Sequence, residues 1–222
     1  QNAGQTCSAG SRLLVHRPVY EALLERVGKA MSALRVGPAL ADLDVGPLIR
    51  QSQLQRVWDF LSQAQRDGIP LAAQGQVVDD APQTGFYQAP TLLRDVPASH
   101  RLAQDEIFGP VLVAMPFESE EQAIALANDS QLGLGANIYT NDLAEAMRAV
   151  NEIESGIVWV NTPLNDNDCV PFGGRKLTGM GRELGAEGLE QFRRSKMVMI
   201  APRAEADPEW FPYPDADAFP GQ

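Results

Sequence analysis

With 222 residues, 44% of them hydrophobic and 21% charged, the chain has the composition of a soluble globular protein able to bury a sizeable core. Its net charge of −11 disfavours nucleic-acid phosphates and anionic membranes as partners, and no apolar run approaches the roughly 20 residues that span a bilayer. The two cysteines, Cys7 and Cys169, are too few and too far apart for a disulfide framework. The two histidines, His16 and His100, lie at no metal-ligand spacing, which argues against zinc. No secretory leader is visible, so the cytoplasm is the default location.

Apolar periodicity alternates along the chain. Leu13-Leu14-Val15 reads as a short buried strand ending before Pro18, with His16 at its end. Tyr20, Leu23, Leu24, Val27, Ala30, Met31 and Leu34 then recur at helical spacing. After a Gly- and Pro-rich segment, Leu54, Val57, Trp58, Leu61 and Ala64 mark one face of a second helix that stops at Gly68. Residues 69–94 read as short strands and turns, and Ile107 to Phe117 as a buried strand. His100 reads as an exposed loop residue. Ser119 followed by Gln122 is a capping-box start. A strand from Gly135 to Thr140, a helix opened by Asn141-Asp142 and a strand from Gly156 to Val160 follow. Such alternation predicts an α/β fold, an open twisted sheet covered by helices. The long loop from Asn161 to Gly181 is a candidate functional segment. A short helix over Glu183 to Phe192, an exposed terminal strand at Met197 to Ile200 and an acidic, Pro-rich tail complete the chain.

Three stretches carry candidate chemistry. Cys7 lies in Asn2-Ala3-Gly4-Gln5-Thr6-Cys7-Ser8-Ala9-Gly10, among small residues that admit another molecule and supply backbone N–H groups for an anion. From the residues alone it reads either as a small structural thiol or as a nucleophile. Cys169 has Asp166 and Asp168 nearby, which would repel a thiolate, and reads as a structural or loop-lining residue. Glu106, just before Ile107-Phe108-Gly109-Pro110-Val111, reads either as a turn residue bonded to local backbone or as a carboxylate that accepts hydrogen bonds from ligand hydroxyls. Gly179-Met180-Gly181-Arg182-Glu183-Leu184 begins like a dinucleotide fingerprint, but Leu184 replaces the third small residue and no strand leads into it. The sequence contains no GxxxxGK[ST] phosphate loop.

Together these stretches resemble the aldehyde dehydrogenase superfamily. Asn2-x-Gly4-Gln5-x-Cys7 is similar to its nucleophile motif and Glu106-Ile107-Phe108-Gly109-Pro110-Val111 to its second hallmark. Pro171-Phe172-Gly173-Gly174-Arg175-Lys176-Leu177-Thr178-Gly179-Met180-Gly181-Arg182-Glu183 is similar to its third, and all three occur in the family's order. The resemblance implies NAD(P)-dependent oxidation of an aldehyde to a carboxylic acid through a thiohemiacetal and thioester on Cys7. It places Glu106 and Phe108 at the nicotinamide end of NAD or NADP, and Gln53 and Arg56 toward the adenosine side. Thr6, Ser8, Asn161 and Phe172 would contact the aldehyde, and no metal is implied.

The resemblance further implies a catalytic domain over residues 1–194, an oligomerisation strand over 195–202 that pairs subunits into a homo-oligomer, and a tail over 203–222. The family's dinucleotide-binding domain, general-base glutamate and oxyanion-hole asparagine lie ahead of the nucleophile, and these 222 residues contain none of them. The expectation is a catalytic half that is inactive alone. Alternatives are a CoA-acylating or thiol-esterase activity, decided by what resolves the thioester, and a non-catalytic oligomerising module.

Overall fold

The computed structural model of the chain describes residues 1–203. Its elements, in order, are β1 (Arg12–His16), α1 (Tyr20–Ser32), β2 (Arg35–Val36), α2 (Gln51–Arg66), β3 (Leu71–Gln74), β4 (Gln76–Val77), β5 (Thr91–Leu93) and α3 (Arg101–Gln104). These are followed by β6 (Val111–Phe117), α4 (Glu120–Asn128), β7 (Leu132–Gly133), β8 (Gly135–Ile138), α5 (Leu143–Glu152), β9 (Ile157–Val160), β10 (Arg175–Lys176) and α6 (Gly185–Glu190).

The central sheet has the order β1-β6-β5-β3. β6 runs parallel to both β1 and β5, and β3 closes one edge antiparallel. Both faces of this sheet are covered, because successive side chains on a strand point to opposite sides. Val111, Val113 and Met115 of β6 pack with Leu54, Val57, Phe60 and Ala64 of α2. Ala114, one residue out of step, packs with Val15 of β1 and with Tyr20 and Leu24 of α1. Burying both faces explains why the strands read as continuous apolar runs and not as alternating ones. The Tyr20 hydroxyl donates to the Ala114 carbonyl and accepts the Asp95 N–H, so the polar end of a buried ring is satisfied.

The second unit consists of the parallel pair β8 and β9, the antiparallel pair β7 and β10, and helices α4 and α5. Two side-chain caps set the starts of its helices. Ser119 Oγ accepts the Gln122 N–H at 3.3 Å, and Gln122 returns its side-chain oxygen to the Glu118 N–H. Asp142 accepts the N–H groups of Ala144 and Glu145 at 2.8 and 3.1 Å. The half-buried Arg12 guanidinium joins this unit to β1 by donating to the Leu126 and Ala127 carbonyls at the end of α4. That is a favourable place for a cation.

Several sequence expectations are corrected. The strand read over Ile107 to Phe117 begins only at Val111, because Phe108 takes a left-handed φ of 57° and Gly109-Pro110 turns the chain. Trp58 lies at the edge of the α2 apolar face, half-exposed, with its indole N–H bonded to Gln88, while Phe60 fills the core position. His100 is not an exposed loop residue. Its side chain is only 13% exposed, bonds Asp67 at the end of α2 and caps α3 by accepting the Leu102 N–H. Met197 to Ile200, expected to pair between subunits, are all exposed and pair with no strand among the described residues. Of the expected tail, residues 204–222 lie outside the described residues.

Candidate active site

The cysteine loop is shaped by an unusual backbone. Asn2, Ala3 and Gly4 take φ values of 49°, 52° and 72° in succession. Left-handed backbone costs a non-glycine residue roughly 1–2 kcal/mol, so something must hold this turn. Ala3 is buried in the core beneath α2. The Asn2 side chain donates to the Gln5 carbonyl at 2.9 Å, and Gln5 donates back to the Asn2 carbonyl at 3.2 Å. The same Gln5 side chain accepts the Ile49 N–H at 2.9 Å, tying the loop to the segment just before α2. Cys7 follows, exposed, inside a turn closed by the Ala9 N–H on the Thr6 carbonyl at 3.0 Å. Thr6 and Ser8 flank it, half-buried.

The Glu106 turn packs directly against this loop. A Cβ added to Gly4 would lie 2.2 Å from the Gly109 carbonyl oxygen and 2.5 Å from its carbon. Only glycine permits so close a backbone approach. Gly109 is pressed on its other side by Val57 of α2, whose Cγ2 a Cβ there would meet at 2.5 Å. The structure therefore brings the first two motifs together. Glu106 is exposed, and among the described residues no side chain is hydrogen-bonded to its carboxylate. Phe108 leaves 37% of its surface open beside it. Gln53 and Arg56 are also present here, and both reach the backbone of this turn. Gln53 Nε2 donates to the Ile107 and Phe108 carbonyls at 3.0 and 2.7 Å, and Arg56 donates to the Glu106 carbonyl.

The third motif is a strap on the second unit. β10 pairs with β7, and Thr178 Oγ1 accepts the Gly133 N–H at 2.8 Å. Lys176 donates to the Asn128 and Ser130 carbonyls and pairs with Glu154 at 2.8 Å. Gly156 faces the Gly173 carbonyl so closely that a Cβ there would fall 1.9 Å from its oxygen. The half-buried Phe172 is held by reciprocal backbone bonds with Glu183 at 2.7 and 2.8 Å. Arg182 reaches back to the Gly174 and Gly181 carbonyls, so this glycine run folds upon itself. Asn161 uses both ends of its amide on the Thr140 backbone, at 2.7 and 3.1 Å, and so braces the β8–β9 ends. Trp159 fastens the following loop by donating to the Asn165 carbonyl. Cys169 is exposed in that loop.

The sequence marked Gly4 and Gly109 as motif members but not as each other's contact, and Gln5 was passed over as a tether. Two open clefts, one of about 430 Å³ beside Asp168, Leu184 and Phe192 and one of about 510 Å³ beside Glu21, Leu71 and Arg94, include neither Cys7 nor Glu106. The exposed thiol thus lies outside both clefts. Among the described residues no group of three or more His, Cys, Asp or Glu is placed to hold a metal ion, and no described helix is long and apolar enough to cross a membrane.

The model of the aldehyde dehydrogenase family matches residues 1–198. The chain belongs to that family. A curated aldehyde dehydrogenase from Didymella fabae is 38% identical over 213 residues, covering 95% of this chain and 43% of the relative. A betaine aldehyde dehydrogenase from Cereibacter sphaeroides is 38% identical over 204 residues, covering 90% and 41%. Among solved structures, a Burkholderia cenocepacia protein provisionally named an aldehyde dehydrogenase superposes with a TM-score of 0.85 at 59% identity, covering 86% of this chain and 40% of that one. A Staphylococcus aureus betaine aldehyde dehydrogenase, a point mutant solved with NAD+ and a BME-modified cysteine, gives 0.88 at 33% identity, covering 94% and 43%. The aldehyde dehydrogenase chain described here thus spans about two-fifths of the length of the relatives it matches.

Proposed function

We propose that this chain carries the thiol half of an NAD- or NADP-dependent oxidation of an aldehyde to a carboxylic acid. The observation that supports this best is the contact of Gly4 with Gly109, which joins an exposed cysteine loop to a turn presenting a free carboxylate and an aromatic face. Related structures bound to NAD+ are consistent with a nicotinamide cofactor. The described residues fit one end of such a cofactor. Glu106 offers an acceptor for ribose hydroxyls, and the exposed part of Phe108 offers a flat apolar platform. A diphosphate has no matching cradle, because the Gly179–Leu184 run is closed by Arg182. The chemistry that an oxidised nicotinamide ring supplies when bound is hydride acceptance.

The residues of this chain would act as follows. The Cys7 thiolate attacks the aldehyde carbon, forming a C–S bond while the carbonyl oxygen takes the negative charge. Backbone N–H groups of the Thr6–Ala9 turn would stabilise that oxyanion. Loss of hydride from the same carbon leaves a thioester on Cys7. Water then adds to the thioester carbon and the C–S bond breaks, releasing the carboxylic acid and the thiol. Thr6, Ser8 and Phe172 would shape the aldehyde site, with the Asn161-to-Cys169 loop at its mouth. The exposed Met197–Ile200 segment would pair between subunits.

With no diphosphate cradle among the described residues, the 222-residue chain by itself should give no detectable NADH from aldehyde and NAD. Losing one oxyanion donor costs on the order of 100- to 1,000-fold in rate, and losing a general base about 100- to 10,000-fold. The thiol chemistry is testable without turnover. Incubation with p-nitrophenyl acetate should transfer acetyl to Cys7 with release of p-nitrophenolate, read by peptide mass spectrometry. Acetylation spread equally over other nucleophiles, or unchanged release in Cys7→Ala, would refute the nucleophile assignment. Steady NADH production by the 222-residue chain that vanishes in Cys7→Ala would refute the proposed inactivity.

A further inference from the structure

Resting on the assignment of Glu106 and Phe108 to the nicotinamide end of a cofactor, we propose that Gln53 and Arg56 are positioning residues that hold the Glu106–Phe108 turn by its backbone carbonyls. Three consecutive carbonyls, those of Glu106, Ile107 and Phe108, each accept a hydrogen bond from a side chain on α2. Gln53, Arg56 and Val57 share one face of that helix through their i, i+3 and i+4 spacing. The helix therefore meets the turn with two donors and one apolar contact, Val57 lying against Gly109.

The geometry of the Gln53 bond matters most. A single –NH2 group serves two neighbouring carbonyls at 3.0 and 2.7 Å. Neighbouring carbonyls in an extended strand point in opposite directions. They converge here because Phe108 is left-handed, with φ 57°, a conformation that a bulky residue keeps only when its surroundings impose it. The buried Ile107 anchors the centre of the turn in the core. The Arg56 guanidinium is itself aligned by the Phe60 ring, 5.1 Å below it. The two side chains thus act through the turn that bears Glu106 and Phe108, and the position at residue 53 demands a group with at least two protons to give and no acceptor facing inward. Lysine meets that demand and glutamate does not.

The test compares wild type, Gln53→Glu, Gln53→Lys and Arg56→Met in the protein expressed in full, after circular dichroism and thermal unfolding establish that each variant folds. Hydrogen exchange of a peptide spanning residues 105–113, read by mass spectrometry, reports on the turn with no need for activity. Gln53→Glu should accelerate that exchange about tenfold, the size expected from the loss of one or two hydrogen bonds, Arg56→Met should accelerate it to a smaller degree, and Gln53→Lys should remain near wild type. In an aldehyde oxidation assay of a longer protein that joins this chain to a dinucleotide-binding domain, Gln53→Glu should raise the KM for NAD by about tenfold and leave the aldehyde KM within about twofold. Unchanged exchange in folded Gln53→Glu overturns the proposal, and so does faster exchange with an unaltered KM for NAD. A wild type of that longer protein without any aldehyde-dependent NADH would instead overturn the cofactor reading of Glu106 and Phe108, while the exchange arm still decides whether α2 holds the turn.

Discussion

Replacing Gly4 by alanine tests the central contact of the site. Two costs arise. The backbone at residue 4 has φ +72°, where an alanine is disfavoured by about 1–2 kcal/mol. The added Cβ would sit 2.2 Å from the Gly109 oxygen and 2.5 Å from its carbon. Both are backbone atoms, and Val57 closes the retreat behind Gly109, so the clash is relieved only by moving the loop, at about 1–3 kcal/mol. The sum, about 2–5 kcal/mol, corresponds to a Tm lowered by roughly 4–20 °C in a chain of this size. Gly10 is an internal control, since it lies in the same loop and a Cβ there meets nothing within 4 Å. Gly10→Ala should stay within about 0.5 kcal/mol of wild type. Urea unfolding of the two variants gives the comparison directly, and the Cys7 alkylation rate reports whether the loop has moved. If Gly4→Ala is no less stable than Gly10→Ala and Cys7 reacts unchanged, the packing of loop against turn is not what holds the thiol in place.

Brief iodoacetamide treatment should label Cys7 before Cys169, because Cys7 sits in a turn of small residues while Asp168 adjoins Cys169; equal labelling on peptide mapping would refute this. Stability should fall as pH drops below about 4. A hydrogen bond from Arg94 holds the Glu21 carboxyl below its ordinary range, the Arg35 backbone N–H does the same for Asp44, and Lys176 for Glu154. Because these groups bind protons more readily in the unfolded chain, their contribution is present above the unfolded values and lost as pH falls through the folded ones. Arg94→Met should therefore shrink the loss of stability between about pH 5 and 3, and an unchanged acid limb by calorimetry would show that the ion pair is not involved. The chain should also self-associate through Met197–Ile200, with Ile200→Asp shifting it toward monomer in light scattering; a monomeric wild type at all concentrations would refute that surface.

Much of the fold was legible because its signals are local. The α1 face from Tyr20 to Met31, the Ser119 cap and the Asp142 cap each declare themselves within one or two turns of helix. The errors fall where a distant partner decides. Ile107 to Phe117 is apolar enough to continue as a strand, but Gln53 and Arg56, some fifty positions away, hold its first residues in a turn. His100 looked like a surface residue because its partner Asp67 ends a different helix. Met197 to Ile200 is a different case, since a strand exists only when another pairs with it, no described segment does so, and the pairing expected there is with a second subunit.

The same distinction applies to the site. The resemblance named Cys7, Glu106 and Phe108, and the first two motifs do meet in space. Sequence alone did not give the means of meeting, which is carried by glycines and main-chain carbonyls. A missing side chain at Gly4 lets the cysteine loop touch Gly109, and carbonyl oxygens common to every residue accept the bonds from α2. Gln53 and Arg56 reach that turn with side-chain donors, where the resemblance implies a cofactor for them. Asn161 likewise bonds main-chain groups, with its amide on the Thr140 backbone. In both cases a polar side chain satisfies the backbone of a neighbouring turn or strand end. This follows from the cost of leaving main-chain groups unpaired in a turn that no helix or sheet completes. A turn bent far enough to present Glu106 and Phe108 together exposes its carbonyls on the opposite side, and the residues that meet them are as necessary to the site as those that face the substrate.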